Sequence, residues 1–86
     1  MSGKFTWTVA TPDGTVASGQ CEFLVVPTTG GELGILVDHA PLVASIAPGA
    51  LRVTEGESVR SVEVGDGILD VRDNQVRLLV SHAGLP

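Results

Sequence analysis

The chain has 86 residues, a formal net charge of −5 and a composition that is 43% hydrophobic. This length predicts one domain over residues 1–86. The scarcity of cations and the aromatic content of 3% argue against nucleic acid as a partner, because nucleic-acid binding needs a basic face and rings on which bases stack.

Cysteine usage and the N-terminal sequence indicate a reducing environment. The single cysteine cannot form an internal disulfide, and no basic and apolar leader precedes Phe5. No apolar run approaches the roughly 20 residues that a membrane-spanning helix needs. We therefore expect a cytoplasmic protein whose membrane contact is made only through a partner.

Along the chain, apolar and polar residues alternate with a period of two, which is typical of strands with one buried face. Strands are predicted, in chain order, at residues 5–11, 15–26, 33–37, 42–46, 50–54, 59–64, 67–72 and 75–81. Glycine, proline, asparagine and aspartate residues mark turns between these runs. The pattern predicts an all-β fold, either a sandwich or a barrel of short antiparallel strands.

The same alternation predicts which side chains form the core. We expect seven to be largely buried: Phe5, Val9, Val53, Ile68, Val71, Leu78 and Val80. Val59 is assigned to the buried face of its strand with Val62 and Val64, after one register break. Cys21 is interpreted as a small buried hydrophobe, and Trp7 as either a core residue or the edge of an interface.

The most informative segment is Thr29 to Pro41, TGGELGILVDHAP. Gly30 and Gly31 are predicted to take positive φ and to make a sharp reversal. Gly34 within a strand predicts a bulge or a close backbone approach. Pro41 favours an extended residue before it and ends the corner.

This segment resembles the GELGI and HAP signature of the epsilon subunit of the F-type ATP synthase. Further matches cover Thr11 to Gly19, Ala47-Pro48-Gly49, Asp66 to Val71 and Leu78 to Ala83. The resemblance implies a flattened antiparallel β-sandwich of about ten short strands. It also leaves room for a bend that splits the long 15–26 run.

The resemblance further implies a mechanical role in the central stalk. In this family the β-sandwich lies at the foot of the stalk, against the gamma subunit on one side and the membrane-embedded rotor ring on another. It implies that Gly30, Gly31, Glu32 and Leu33 face the rotor ring and that Thr11, His39 and Ala44 face gamma. It implies no catalytic residue, cofactor or metal, and a peripheral position at the cytoplasmic face of the membrane.

Without the resemblance, Glu32 would be interpreted as a solvated turn residue. His39 would be interpreted as a corner residue whose ring satisfies a backbone carbonyl. An alternative function is a small-ligand or carbohydrate-binding module, which the fold class and the turns favour and the absence of tyrosine opposes.

Two departures from the family pattern concern the corner and the C-terminal end. Asp38 stands where the family commonly has Gly or Asn. Relatives usually continue into two helices that inhibit ATP hydrolysis and, in some, bind ATP, whereas this sequence ends at Gly84-Leu85-Pro86. We therefore expect a naturally short form that lacks the regulatory helices and neither hydrolyses nor tightly binds ATP.

Enzyme and metal chemistry find little support in the motifs. No nucleophile elbow surrounds a serine or Cys21, and Cys21, His39 and His82 are not at metal-ligand spacing. Asp38 and His39 are neighbours whose side chains are predicted to diverge on an extended chain. Gly30-Gly31 lack the lysine that a phosphate loop requires.

Overall fold

The computed structural model describes residues 3–84. Met1, Ser2, Leu85 and Pro86 lie outside that range, and with them the last two residues of the segment on which the expectation of a short form was based. The strands are β1 (Phe5–Thr11), β2 (Gly14–Cys21), β3 (Phe23–Thr28), β4 (Gly31–Leu36), β5 (Leu42–Ile46), β6 (Gly49–Glu55), β7 (Ser58–Val64), β8 (Gly67–Arg72), β9 (Gln75–Val80) and β10 (Ala83–Gly84). These ten strands confirm the all-β prediction. Within residues 3–84, no helix is long and apolar enough to cross a membrane.

The strands form two layers. Layer 1 has the order β4-β3-β6-β7-β10, and layer 2 has the order β5-β8-β9-β1-β2. The layers join where Thr28 of β3 pairs with Ile46 of β5. The pairings are antiparallel except between β1 and β9, which run parallel from Thr6 opposite Gln75 to Ala10 opposite Leu79. The arrangement is the predicted flattened sandwich, with the first strand inserted beside the ninth.

Strand boundaries follow the sequence pattern closely, with two differences. The 15–26 run is split at Glu22, as the family resemblance implied, because the chain passes there from layer 2 to layer 1. The strand β10 was not predicted, since two residues are too short to show a period. The bulge in the sheet lies opposite Val9 and Ala10, where Val16 has no partner.

The inner faces of the two layers form one aliphatic core. Six of the seven core predictions are confirmed, but the prediction for Ile68 is wrong, because its side chain is 46% exposed. Ile68 and Val71 are three positions apart on one strand, so they lie on opposite faces. Leu69 takes the inward position. The buried residues are Phe5, Trp7, Val9, Cys21, Leu24, Val26, Ile35, Ile46, Leu51, Val53, Val62, Val64, Leu69, Val71, Val76, Leu78 and Val80.

The structure also settles the positions of Trp7 and Val59. Trp7 is a core residue, and the guanidinium carbon of Arg60 lies 5.4 Å from the centre of its ring. The prediction that Val59 is buried is wrong, because its side chain is 65% exposed. The expected register break is absent, since β6 and β7 pair without interruption. Arg60 therefore lies on the inward face and covers Trp7, while Val59 points outward.

Candidate docking surfaces

The turn between β3 and β4 presents the glycine pair. The Thr28 hydroxyl accepts a hydrogen bond from the Gly30 N–H (3.2 Å) and donates one to the Gly31 carbonyl (2.5 Å). Gly31 has a φ of 115°, in the region that favours glycine, which confirms the prediction for this residue. Gly30 is absent from the positive-φ residues, so the prediction for it is wrong. One left-handed residue is enough because the threonine hydroxyl closes the turn.

Glu32 follows this turn and has a partner within the chain. Its two carboxylate oxygens accept hydrogen bonds of 3.0 and 3.3 Å from the Arg52 guanidinium. The two residues lie on β4 and β6, on either side of β3. Both side chains are about half exposed, at 58% for Glu32 and 45% for Arg52. Glu32 is therefore a member of a two-pronged surface ion pair rather than a free carboxylate.

The rest of β4 contributes to the core and to the surface in alternation. Leu33 is half buried and packs against the core. Gly34 pairs in register with Val25, so the bulge predicted there does not occur. A Cβ at Gly34 would lie 3.1 Å from the Phe23 ring, so the close approach is made by a side chain. Gly34 is thus required to give the Phe23 ring its place.

The loop between β4 and β5 holds the Asp-His-Ala-Pro corner. Asp38 has a φ of 64°, so the prediction of an extended chain at this point is wrong. This conformation explains why Gly or Asn, which adopt it readily, would suit the position. The His39 Nδ1 atom lies 2.7 Å from the Ala40 carbonyl oxygen. His39 thus satisfies a neighbouring carbonyl, as the sequence alone suggested.

The glycine turn and the His39 corner, the two parts of the Thr29–Pro41 segment, lie at opposite ends of β5. The Thr29 N–H donates to the Ser45 carbonyl near the end of that strand, whereas Pro41 leads directly into its first residue, Leu42. The glycine turn and the His39 corner are therefore two separate features. Thr11 ends β1, beside the end of β9, and is remote along the strands from the His39 corner.

The outer face of layer 2 carries an apolar row. Ser45, Ile68, Leu79 and Ala10 follow one another across β5, β8, β9 and β1. The neighbouring row is Val43, Asp70, Arg77 and Thr8. Val43, Ile68 and Leu79 are 66%, 46% and 56% exposed. We call these two rows the layer 2 outer face. Its exposed aliphatic side chains lie beside one pair of opposite charges, Asp70 and Arg77.

Ala44 does not belong to this face. It pairs with Leu69 and packs against the core, because it points inward between Val43 and Ser45. The outward residues Val43, Ile68 and Leu79 were not identified as candidates from the sequence. The signal that could have found them is the doublets Ile68-Leu69 and Leu78-Leu79, since two adjacent apolar residues in a strand place one on each face.

A second apolar row lies on the outside of layer 1. It consists of Leu36, Phe23, Thr54 and Val59 across β4, β3, β6 and β7. Leu36 is 59% exposed and Val59 is 65% exposed, whereas Phe23 is partly covered through its contact with Gly34. The sandwich thus has exposed apolar residues on both outer faces.

The described residues offer little for catalysis or metal binding. Burial raises the pKa of the Cys21 thiol from 9.0 to about 11, which opposes formation of a thiolate at neutral pH. Among residues 3–84, no group of three or more His, Cys, Asp or Glu residues could hold a metal ion.

Two shallow clefts are found on the surface of the described chain. One, of about 260 Å³, is lined by Pro41, Leu42, Val43, Asp70, Val71, Arg72 and Asp73. The other, of about 360 Å³, is lined by Ala10, Thr11, Pro12, Leu79 and Val80. Neither lining includes an aromatic ring. Both clefts border the layer 2 outer face.

Solved structures share this fold. A chain of the Euglena gracilis mitochondrial ATP synthase (OSCP/F1/c-ring) superposes with a TM-score of 0.84 and 24% identity, covering 92% of this chain and 51% of that chain. A chain of the Tetrahymena thermophila mitochondrial ATP synthase central stalk and c-ring superposes with a TM-score of 0.76 and 19% identity, covering 95% and 66%. At these identities the likeness establishes the fold.

Sequence comparisons establish the family. The ATP synthase epsilon chain of Desulfitobacterium hafniense is 41% identical over 96% of this chain and 63% of the relative. That of Alkalihalophilus pseudofirmus is 47% identical over 91% of this chain and 59% of the relative. The chain thus spans about three fifths of the length of these curated relatives. A family profile described as "ATP synthase, Delta/Epsilon chain, beta-sandwich domain" matches residues 4–86, and the chain belongs to this family.

Proposed function

We propose that this chain is the β-sandwich part of a central-stalk subunit of an F-type ATP synthase. In this role it joins the gamma subunit to the membrane rotor ring and helps to couple ion flow to ATP synthesis. It has no catalytic site of its own and lies at the cytoplasmic face of the membrane, which it meets only through the complex. Membership of the epsilon family supports this role.

The observation that carries the proposal is the layer 2 outer face. Ile68 and Leu79 lie directly opposite each other with about half of each side chain exposed. Apolar side chains at the centre of a polar surface are the residues that interfaces bury. The Asp70 and Arg77 pair beside them supplies polar contacts that fix the orientation of a partner. We assign this face to gamma.

The gamma side was predicted from Thr11, His39 and Ala44, and the structure refines this proposal. Thr11 lines the cleft at one margin of the layer 2 outer face, beside Leu79. His39 lies in the loop that leads to the other margin, beside Pro41 and Leu42. Ala44 supports the face from within, so its contribution is through the position of Val43. Thr11 and His39 therefore lie toward opposite margins of a surface whose exposed apolar centre is Ile68 and Leu79, and Ala44 lies beneath it.

We propose the glycine turn as the contact with the rotor ring. Gly30 and Gly31 form the tip of the β3–β4 turn, Glu32 follows at the surface, and Leu33 anchors the strand in the core. The ion pair with Arg52 favours one position of the Glu32 carboxylate. A polar loop of the ring would therefore meet a pair of charges rather than a free carboxylate.

A ligand-binding function is less well supported. Sugar-binding and small-ligand sites are concave and place aromatic or aliphatic walls around a few polar groups. The two clefts are shallow and the residues that line them include no aromatic ring. Phe23, the more exposed aromatic residue, covers Gly34 and is not at a cleft.

The test of the gamma contact is binding of the purified chain to a purified gamma subunit. Leu79→Glu should weaken binding at least about tenfold, because it places a charge at the centre of the contact. Val59→Glu is the matched control, since Val59 is an aliphatic residue of similar exposure (65%, against 56% for Leu79) on the other layer. Equal loss with both variants, or with neither, would contradict the assignment of the face.

The test of the ring contact is retention of the chain in the reconstituted complex. Gly31→Val should reduce retention through backbone strain, because no neighbouring atom crowds that position and only its φ of 115° is unfavourable. Gly56→Val is the control, since Gly56 also has a positive φ (61°) and no atom within 4 Å of an added Cβ, but lies in the β6–β7 turn, outside the proposed contact. It should be retained like the parent.

Charge at the turn is tested separately. Glu32→Gln and Arg52→Gln should leave the fold intact, because an exposed ion pair contributes about 0–1 kcal/mol. Both should weaken retention, and the effect should shrink as salt rises. Retention and ATP synthesis equal to the parent for Glu32→Gln and Gly31→Val would place the ring contact elsewhere.

A further inference from the structure

The non-glycine residues of the described chain that have a left-handed backbone conformation lie where two loops meet. They are Asp38, Asp73 and Asn74, with φ of 64°, 51° and 59°. Asp38 lies in the β4–β5 loop, and the other two form the turn between β8 and β9. Left-handed conformations are uncommon outside glycine, and Asn and Asp adopt them more readily than other residues.

The contacts that hold these loops come from one side chain. The Asn74 Oδ1 atom accepts a hydrogen bond of 2.6 Å from the Asp38 N–H. Its Nδ2 atom donates one of 2.9 Å to the Asp38 carboxylate. Asp38 and Asn74 are 36 residues apart in the sequence. The Asn74 amide therefore binds both the backbone and the side chain of Asp38.

Asn74 is itself fixed to the sheet. Its backbone carbonyl accepts a hydrogen bond of 3.0 Å from the Thr6 N–H in β1. The Asp38 corner is thus connected through Asn74 to the central strands of layer 2. Without the amide, the residues between Asp38 and the start of β5 would be held mainly by their own short contacts, such as that between His39 and Ala40.

The segment that this link holds leads into one wall of the cleft beside the layer 2 outer face. Pro41, Leu42 and Val43 form that wall, and Asp70, Arg72 and Asp73 line the opposite side. Val43 is fixed by the pairing of β5 with β8. Displacement of the corner would therefore move His39 and Pro41 relative to the layer 2 outer face.

We propose that Asn74 is a positioning residue for docking of gamma. It acts through Asp38 and holds the His39 corner, which leads to Pro41, at the margin of the layer 2 outer face. This inference rests on the proposed function. The neutral amide is required because an acidic residue at this position would place a second carboxylate against that of Asp38.

The link can be broken and rebuilt by exchange of two side chains. In Asn74→Asp, two carboxylates face each other and the donor to Asp38 is lost. In the double variant Asp38→Asn/Asn74→Asp, the amide donates from position 38 and the carboxylate accepts at position 74, so both hydrogen bonds can form again. Asparagine and aspartate both tolerate positive φ, so the backbone requirement is met in each variant.

The first measurement is amide hydrogen exchange of the free 86-residue chain. Asn74→Asp keeps an oxygen that can accept from the Asp38 N–H, but repulsion between the two carboxylates should move that oxygen away. Exchange of the Asp38 N–H should therefore become about tenfold faster in Asn74→Asp and return toward the parent rate in the double variant. Unchanged exchange at Asp38 in Asn74→Asp would overturn the link itself.

The second measurement is binding of the same chains to purified gamma. Binding should weaken about tenfold in Asn74→Asp and recover in the double variant. Glu22→Ala is the control, because it removes another contact between distant turns, the hydrogen bond from the Gly56 N–H to Glu22, in layer 1. This control should bind like the parent even if its melting temperature falls.

The outcomes separate the inference from the function on which it rests. If the parent binds gamma and Asn74→Asp binds it equally well, the positioning role alone is overturned. The positioning role is also overturned if the double variant does not recover the binding that Asn74→Asp loses, or if Glu22→Ala loses the same binding. Either outcome would indicate general destabilisation. A parent chain that does not bind gamma would overturn the proposed function, and this inference with it.

Discussion

The two faces of layer 2 carry almost the same side chains in different surroundings. On the inner face, Leu69 and Leu78 are directly opposite each other and have no exposed surface. On the outer face, Ile68 and Leu79 form the adjacent pair and are about half exposed. Aliphatic composition therefore does not distinguish the buried core from the exposed face. Only the register of the strands does.

The largest expected effect is on the inner pair. Leu69→Ala should lower the free energy of unfolding by about 2–5 kcal/mol, because it leaves a cavity in a closely packed core. Ile68→Ala, the neighbouring control, should lower it by less than about 1 kcal/mol, since its side chain is already half in water. Urea unfolding of both variants measures the contrast. Equal losses would mean that the two faces are energetically alike.

Substitution of Gly67 tests how closely β8 and β9, the strands that carry both pairs, must approach each other. A Cβ at this position would overlap the backbone of Leu79 and Val80. Gly67→Ala should therefore separate β8 from β9 locally and cost about 1–3 kcal/mol. Gly84→Ala is the control, because no atom lies within 4 Å of the added carbon. A Gly67→Ala variant as stable as the control would show that the sheet yields easily.

The raised pKa of the buried Cys21 thiol makes the free energy of unfolding depend on pH. Burial raises the pKa of its thiol from 9.0 to about 11 in the folded chain. Between these values the unfolded state loses its proton first, so deprotonation stabilises the unfolded state. The free energy of unfolding should fall from about pH 9 to about pH 11 and then level off. The chain contains no tyrosine, so Cys21→Ala should remove most of this slope.

The smallest expected effect concerns the charges of the outer face. Arg77→Gln removes the partner opposite Asp70, but Arg72 also lies 3.7 Å from that carboxylate. The free energy of unfolding should change by less than about 1 kcal/mol. Binding to gamma should instead become less sensitive to salt. A stability loss as large as that of Leu69→Ala would mean that the outer face is part of the core.

The sequence was sufficient for features that depend on neighbouring residues. The alternation located nearly all of the strands, and Gly31 was correctly assigned a positive φ because its turn is closed by nearby Thr28. The alternation failed at Ile68, where adjacent apolar residues fit either face. The doublet alone does not show which residue points inward. Val71 does, because it lies two positions after Leu69 and residues two apart share a face.

The candidate surfaces were less predictable because they depend on distant residues. Arg52, the partner of Glu32, is 20 positions away, and Asn74, the partner of Asp38, is 36 positions away. No periodicity links such pairs. The docking roles of Glu32, Thr11 and His39 remain predictions, and the structure adds the neighbours through which they can be tested.

The parallel pairing of β1 with β9 has a consequence for how the chain is made. Thr6 lies opposite Gln75 and Ala10 lies opposite Leu79, so the pairing of β1 with β9 can form only after β9 has been synthesised. During synthesis on a ribosome, the edge of β1 that pairs with β9 stays unpaired until almost the whole domain has emerged. Long-range pairing of this kind slows folding. The nascent chain therefore exposes Phe5 and Trp7 for most of its synthesis, and completion of the sandwich is a late event that follows translation of β9.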